Sequence, residues 1–176
     1  MKNLLIVTLL FCSAQLSAQD AISRFFEKYA ADESFTNVTI TSRMFSLFTD
    51  LEIESKEDQE VLDAISKLKG LKILAKEDIS NGKALYKEAL AKLPKNEYEE
   101  LMSIRDEDKD MKFMIKEKDK VVNELVMIMG GDHDFFILSL YGVIDLKQVA
   151  KLSKAMDIDG LDQLKKLDKG DEKKKN

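Results

Sequence analysis

The alternation of apolar and polar positions divides the chain into helical and extended stretches. Ile22, Phe25, Phe26 and Tyr29 recur at i, i+3, i+4 and i+7, the period of a helix with one apolar face, and Asp20 stands where it can cap that helix. From Phe35 to Thr41 the period shortens to two: Val38 and Ile40 alternate with Asn37, Thr39 and Thr41, which predicts a short strand with one buried face. Ser42 can cap a second helix carrying Met44, Phe45, Leu47, Phe48 and Leu51. Ser55 and Asp58, at capping-box-like spacing, open a third whose stripe is Val61, Leu62, Ile65 and Leu68. Gly70 punctuates, and Leu71 to Leu74 reads as a strand. Asn81-Gly82 then begins a helix through Leu85, Tyr86, Ala89, Leu90 and Leu93, which Pro94 ends.

Four strands follow in close succession. Tyr98 to Arg105 is the first, and in the second Met111, Phe113 and Ile115 alternate with Lys112 and Lys116. Val121 to Met129 and Phe135 to Tyr141 are richer in apolar residues, which places them centrally in the sheet. The connections, residues 106–110, 119–120 and 130–134, are short and polar and favour antiparallel hairpins. Asp145 can cap a helix through Leu146, Val149, Leu152 and Met156, and Asp159-Gly160 turns the chain into a last helix with Leu161, Leu164 and Leu167. The expected fold is α+β: a mainly antiparallel sheet, made of a four-stranded meander plus one or two further strands, with helices packed on one face. Phe113, Ile115, Leu125 and Leu138 are expected in its core.

The two ends have a different character. Lys2 supplies a positive charge, Leu4 to Cys12 is an apolar run broken only by Thr8, and Leu16-Ser17-Ala18 suits signal peptidase. Residues 1–18 therefore read as a secretory signal peptide, with 19–169 as a single domain and 170–176 as a disordered, lysine-rich tail. The bulky Phe11 before Cys12 argues against lipid attachment at that cysteine. The apolar run is shorter than the ~20 residues that span a bilayer, and no longer apolar run follows residue 18. No transmembrane segment is expected after signal removal, and the protein is read as soluble in the periplasm or outside the cell.

Composition narrows the function classes. The formal net charge is −5, and loss of the leader, whose only charge is Lys2, takes it to −6 and leaves 158 residues without a cysteine. Disulfides and thiolate metal sites are thereby excluded from the mature domain, and the acidic balance opposes general nucleic-acid binding. Charge is segregated along the chain. Seven acids lie between Asp50 and Asp63 against the single Lys56, whereas from Asp145 onward lysines outnumber acids nine to seven. Solvated helix faces account for most of this, and the C-terminal lysines are a candidate surface for anionic lipid or a partner. The eight methionines read as core filler.

Three constellations invite chemistry. Gly130-Gly131-Asp132-His133-Asp134 echoes the glycine-glycine-acid hairpin of diguanylate cyclases, but His133 and Asp134 replace the Glu-Phe of that motif. The plainer expectation is a tight hairpin whose glycines accept positive φ. Asp132, His133 and Asp134 are a candidate metal set, though adjacent residues rarely all face one ion. Asp106, Asp108, Asp110 and Glu117 occupy positions one, three, five and twelve of an EF-hand-like loop, yet Met111 stands where that loop needs glycine and a strand pattern follows. No Gly-x-Ser-x-Gly elbow accompanies the lone histidine.

Several segments, in order, carry a family resemblance. They are Phe35-Thr36-Asn37-Val38-Thr39-Ile40, Met44-Phe45 with Leu47-Phe48, Leu68-Lys69-Gly70-Leu71-Lys72-Ile73-Leu74, Tyr98-Glu99-Glu100-Leu101-Met102, Gly130-Gly131-Asp132, Ile144-Asp145-Leu146 and Leu152-Ser153-Lys154. Through them the chain resembles exported proteins of Bacteroidetes-type bacteria that carry the domain of unknown function 4252. The resemblance implies export, one domain and no catalytic residues to carry over. It also implies an association with sigma-factor and anti-sigma-factor genes, hence with envelope signalling. Together these observations predict a non-enzymatic domain without cofactor, whose partner is another envelope protein. The alternative is a small-ligand or calcium-binding protein.

Overall fold

The structure is a computed structural model, and it describes residues 21–48 and 55–149. The expected signal peptide, the Asp20 cap, Cys12, the helices beyond Val149 and the lysine-rich tail lie outside the described residues.

Helix α1 (Ala21–Ala30) leads into β1 (Thr36–Thr41), α2 (Ser42–Phe48), α3 (Lys56–Ser66), β2 (Leu68–Lys76) and α4 (Gly82–Lys92). Strands β3 (Glu99–Arg105), β4 (Lys109–Lys118), β5 (Val121–Gly131) and β6 (Phe135–Ile144) follow, and residues 146–149 begin a further helix. Asp145 caps that helix, its Oδ1 accepting the backbone N–H of Lys147 at 2.9 Å. Ser55 and Asn81 precede α3 and α4 as expected but make no side-chain capping bond.

Among the described residues the sheet has six strands in the order β1-β2-β6-β5-β4-β3, antiparallel throughout. It is the expected meander, β3 to β6, extended by two strands, and the α+β class stands. The β1–β2 pair is seated on the last strand, with Leu74 opposite Ile137 and Ile73 opposite Leu138.

The helices are divided between the two faces instead of gathered on one. Alternate residues of β5 point opposite ways. Val126 and Ile128 join Phe25, Phe26, Leu85 and Ala89 under α1 and α4, whereas Leu125 and Met127 join Phe45, Leu138, Ile144 and Val149 beneath α2 and the helix beginning at 146. Both sets are buried, as a central strand with two covered faces requires. Phe113, Ile115, Leu125 and Leu138 are all buried, as the periodicity predicts.

Two places need glycine. At Gly130 a Cβ would lie 2.6 Å from the carbonyl oxygen of Gly82 and against the Cβ of Tyr86, so β5 and the start of α4 approach more closely than side chains allow. Gly142 has φ +141°, and a Cβ there would meet the Lys67 carbonyl oxygen at 2.5 Å. Gly130 and Gly131 do not have the positive φ expected of them. They are the last residues of β5, and the turn itself is 132–134. Positive φ is found instead at Asp119 and Lys120, 55° and 63°, the two-residue turn between β4 and β5, whose twist matches the flanking strands.

Candidate functional site

The two acidic turns singled out from the sequence meet at one end of the sheet. The β3–β4 turn holds Asp106 and Asp108, and the β5–β6 turn holds Asp132, His133 and Asp134. They are tied together by the Asp132 N–H, which donates to the Asp108 carbonyl at 3.2 Å. Lys83, on the first turn of α4, reaches Asp132 at 2.7 Å. That bond raises the Lys83 ammonium above its usual range, with Asp110 and Asp108 adding to the effect, and Lys83 in turn holds the Asp132 carboxyl below the carboxylate range. Asp110 pairs with Arg105 at 2.9 Å. His133 is exposed, and its carbonyl accepts the Ile79 N–H at 3.0 Å. Glu117 is not brought here: seven residues further along β4, it lies roughly 23 Å from Asp110 at about 3.3 Å per residue. The EF-hand-like spacing is thus laid out along a strand. Among the described residues no group of three or more His, Cys, Asp or Glu side chains could hold a metal ion.

Sequence reasoning missed a buried carboxylate. Glu124 of β5 is only 5% exposed, on the face covered by α1 and α4. Its Oε2 accepts the Tyr98 hydroxyl and its Oε1 the Ser139 hydroxyl, each at 2.6 Å. Two hydroxyls thereby satisfy a polar group that would otherwise be costly to bury, and they tie the chain before β3 to β5 and β6. The signal was present in the sequence: an acid in step with the inward-facing Val126 and Ile128 of the same strand.

A cleft of about 370 Å³ lies between α3 and the end of β6, lined by Glu60, Asp63, Lys67, Val143, Asp145 and Gln148. Among the described residues, the Gln148 Oε1 is buried there without a hydrogen-bond partner.

The two sheet edges differ most. Strand β3 ends the sheet on one side with Glu99, Glu100 and Arg105, and a register shift between Glu100 and Met102 interrupts its pairing with β4. Charges and a bulge of this kind are how proteins blunt an exposed edge. Among the described residues, strand β1 ends the other side with Thr36-Asn37-Val38-Thr39-Ile40-Thr41, which has no charge, no proline and an unbroken register on β2. Val38 was expected inside but is 37% exposed. Helix α2 follows β1 directly and buries Phe45, leaving Met44 46% and Leu47 52% exposed.

The family described as a domain of unknown function, DUF4252, matches residues 29–152, most of the chain. The protein belongs to the DUF4252 family. The DUF4252 match takes in all six strands, both acidic turns, Glu124 and the β1 edge with α2, but only the end of α1. No curated protein and no solved structure matches the chain. Among the described residues no helix is long and apolar enough to cross a membrane.

Proposed function

We propose that this DUF4252 protein is an exported, non-enzymatic domain that acts in the bacterial envelope by binding another protein chain, in a signalling or stress pathway. The observation that carries the reading is the contrast between the sheet edges. One edge is blunted by charge and a bulge, while the other is uncharged, regular and flanked by the exposed Val38, Met44 and Leu47. A strand edge of that kind is a template for a further strand. Export is supported by the sequence of residues 1–18. The test is complementation of a deletion strain with Val38→Lys and with Met44→Glu/Leu47→Glu at matched protein level, together with cross-linking from position 38 in the intact envelope. Both variants are expected to fold, to fail to complement and to lose the cross-linked species. Full complementation by both would refute the proposal.

A second reading, small-ligand binding, is favoured by the cleft at Gln148, where an amide oxygen is buried without a partner. Gln148→Leu, which fills the site with an apolar side chain of similar size, separates the two. Loss of complementation in that variant alone would favour the ligand.

A further inference from the structure

We propose that Asn81-Gly82 is a site of spontaneous covalent modification, at which Asn81 loses ammonia through a succinimide ring, and that the start of α4 is the brake on that reaction. The inference is independent of how the protein binds a partner. An asparagine side chain is open to attack by the backbone nitrogen of the residue after it, and glycine presents that nitrogen with no side chain in the way. Asn37, Asn96 and Asn123 precede Val38, Glu97 and Glu124, whose side chains crowd the nitrogen, whereas Asn81 precedes Gly82. Asn81 is exposed, and its amide makes no capping bond to α4. Gly82 is the first residue of α4, so no carbonyl one turn earlier in the helix holds its N–H.

In the reaction the Gly82 nitrogen bonds to Asn81 Cγ, the Cγ–Nδ2 bond breaks, and the proton given up by the attacking nitrogen leaves with the ammonia. Water then opens the ring. Cleavage of the new N–Cγ bond leaves aspartate at 81, and cleavage of the original peptide bond leaves isoaspartate, with the chain routed through the side chain. The folded structure opposes the first step. With φ −124° and ψ 20° at Asn81, its carbonyl oxygen lies towards Cβ and the Gly82 nitrogen lies away from it. That carbonyl accepts the N–H groups of Ala84 and Leu85, each at 3.0 Å, so the peptide plane turns only when the first turn of α4 opens. Lys83, bound to Asp132 at 2.7 Å, resists the opening. Isoaspartate makes the opening permanent. A Cβ on Gly82 would already meet the Asp134 carbonyl oxygen and stand 2.5 Å from that of Gly131, so a main chain lengthened by one carbon has no room to reseat against the β5–β6 hairpin.

The experiment ages the full chain, purified as the cell processes it, for days at mildly alkaline pH in heavy-oxygen water. Peptide mass spectrometry that separates aspartate from isoaspartate follows each asparagine, and thermal melting follows the fold. Wild type, Lys83→Met and Asn81→Gln are compared, each folded and in denaturant. In denaturant Asn81 is expected to convert faster than Asn37, Asn96 and Asn123. In the folded wild type it should convert more slowly than in denaturant, and Lys83→Met, which removes an exposed ion pair, should quicken the folded rate roughly two- to fivefold. Aged wild type should melt at a lower temperature, and Asn81→Gln should age without that loss. No conversion in the folded chain, or conversion in denaturant no faster than at the other asparagines, overturns the site. A folded rate equal to the denatured rate, or indifferent to Lys83→Met, overturns the brake. An Asn81→Gln chain whose melting falls as the wild type's does overturns the structural consequence.

Discussion

The centre of the sheet and its β1 edge are built from similar residues but constrained by different things. In β5 and β6 the side chains of Leu125, Val126, Met127, Ile128, Ile137 and Leu138 are almost wholly removed from water, and α4 lies so close that Gly130 has no room for a Cβ. At β1 the β-branched Val38 stands more than a third exposed and α2 turns Met44 and Leu47 outward. The same apolar chemistry therefore maintains the fold in one region and is left over from folding in the other. What is left over at an edge is available for association.

The contrast can be broken most forcefully at the centre. Leu125→Ala and Leu138→Ala each remove a fully buried side chain and are expected to cost ~2–5 kcal/mol in chemical denaturation, through lost burial and the cavity that remains. Unchanged midpoints in both would show that the centre is not the stabilising region. Gly130→Ala adds only a methyl group but sets it against the Gly82 carbonyl and Tyr86, so a loss of roughly 1–3 kcal/mol is expected. Gly131→Val should also destabilise, through contact with the Asp134 carboxylate and not through a positive φ.

A smaller effect sharpens the comparison from the alkaline side. Burial raises the Tyr86 phenol from 10.0 to about 12, with Asp110 contributing less. The folded state thus favours the protonated ring. Its contribution to stability is complete below pH 10 and is lost as pH climbs from 10 through 12. Unfolding midpoints across that window should fall less for Tyr86→Phe than for the wild type. The smallest effect belongs to the edge: Val38→Lys should change stability by no more than about 0.5 kcal/mol, whatever it does to association. A large loss there would mean that β1 belongs energetically to the core.

Much of the fold was legible because strong periodicities survive folding. All six strands and the helices opening at Ser42, Ser55 and Gly82 fall close to where the pattern predicts them, but Leu68, expected on the stripe of the third helix, is the first residue of β2, because that helix ends at Ser66. The division of helices between faces escaped the expectation of helices on one face, although the unbroken run Leu125-Val126-Met127-Ile128 marks a strand covered on both sides. The exposure of Val38 was not legible: a period of two marks a face, but the place of a strand in the sheet order depends on pairings distant in sequence. The glycines at 130 and 131 were legible as glycines, while the reason for them, the approach of α4, is a tertiary fact. The candidate acids were placed by turns, and the spacing that suggested a loop became the length of a strand. Glu124 was hidden by its neighbours, because a single acid in an apolar run reads as noise until its two hydroxyl partners, from Tyr98 and Ser139, are brought to it.

The seating of β2 on β6 also sets an order in time. The hairpins β3–β4, β4–β5 and β5–β6 join neighbours in sequence and close over short loops, whereas β1 and β2 find their seat only on the last strand, roughly sixty residues later than β2 itself. A chain that emerges from its N-terminus must carry its first two strands unseated until β6 has been delivered. Among the described strands, the pairing that seats β1 and β2 is thus the one that closes over the longest stretch of chain.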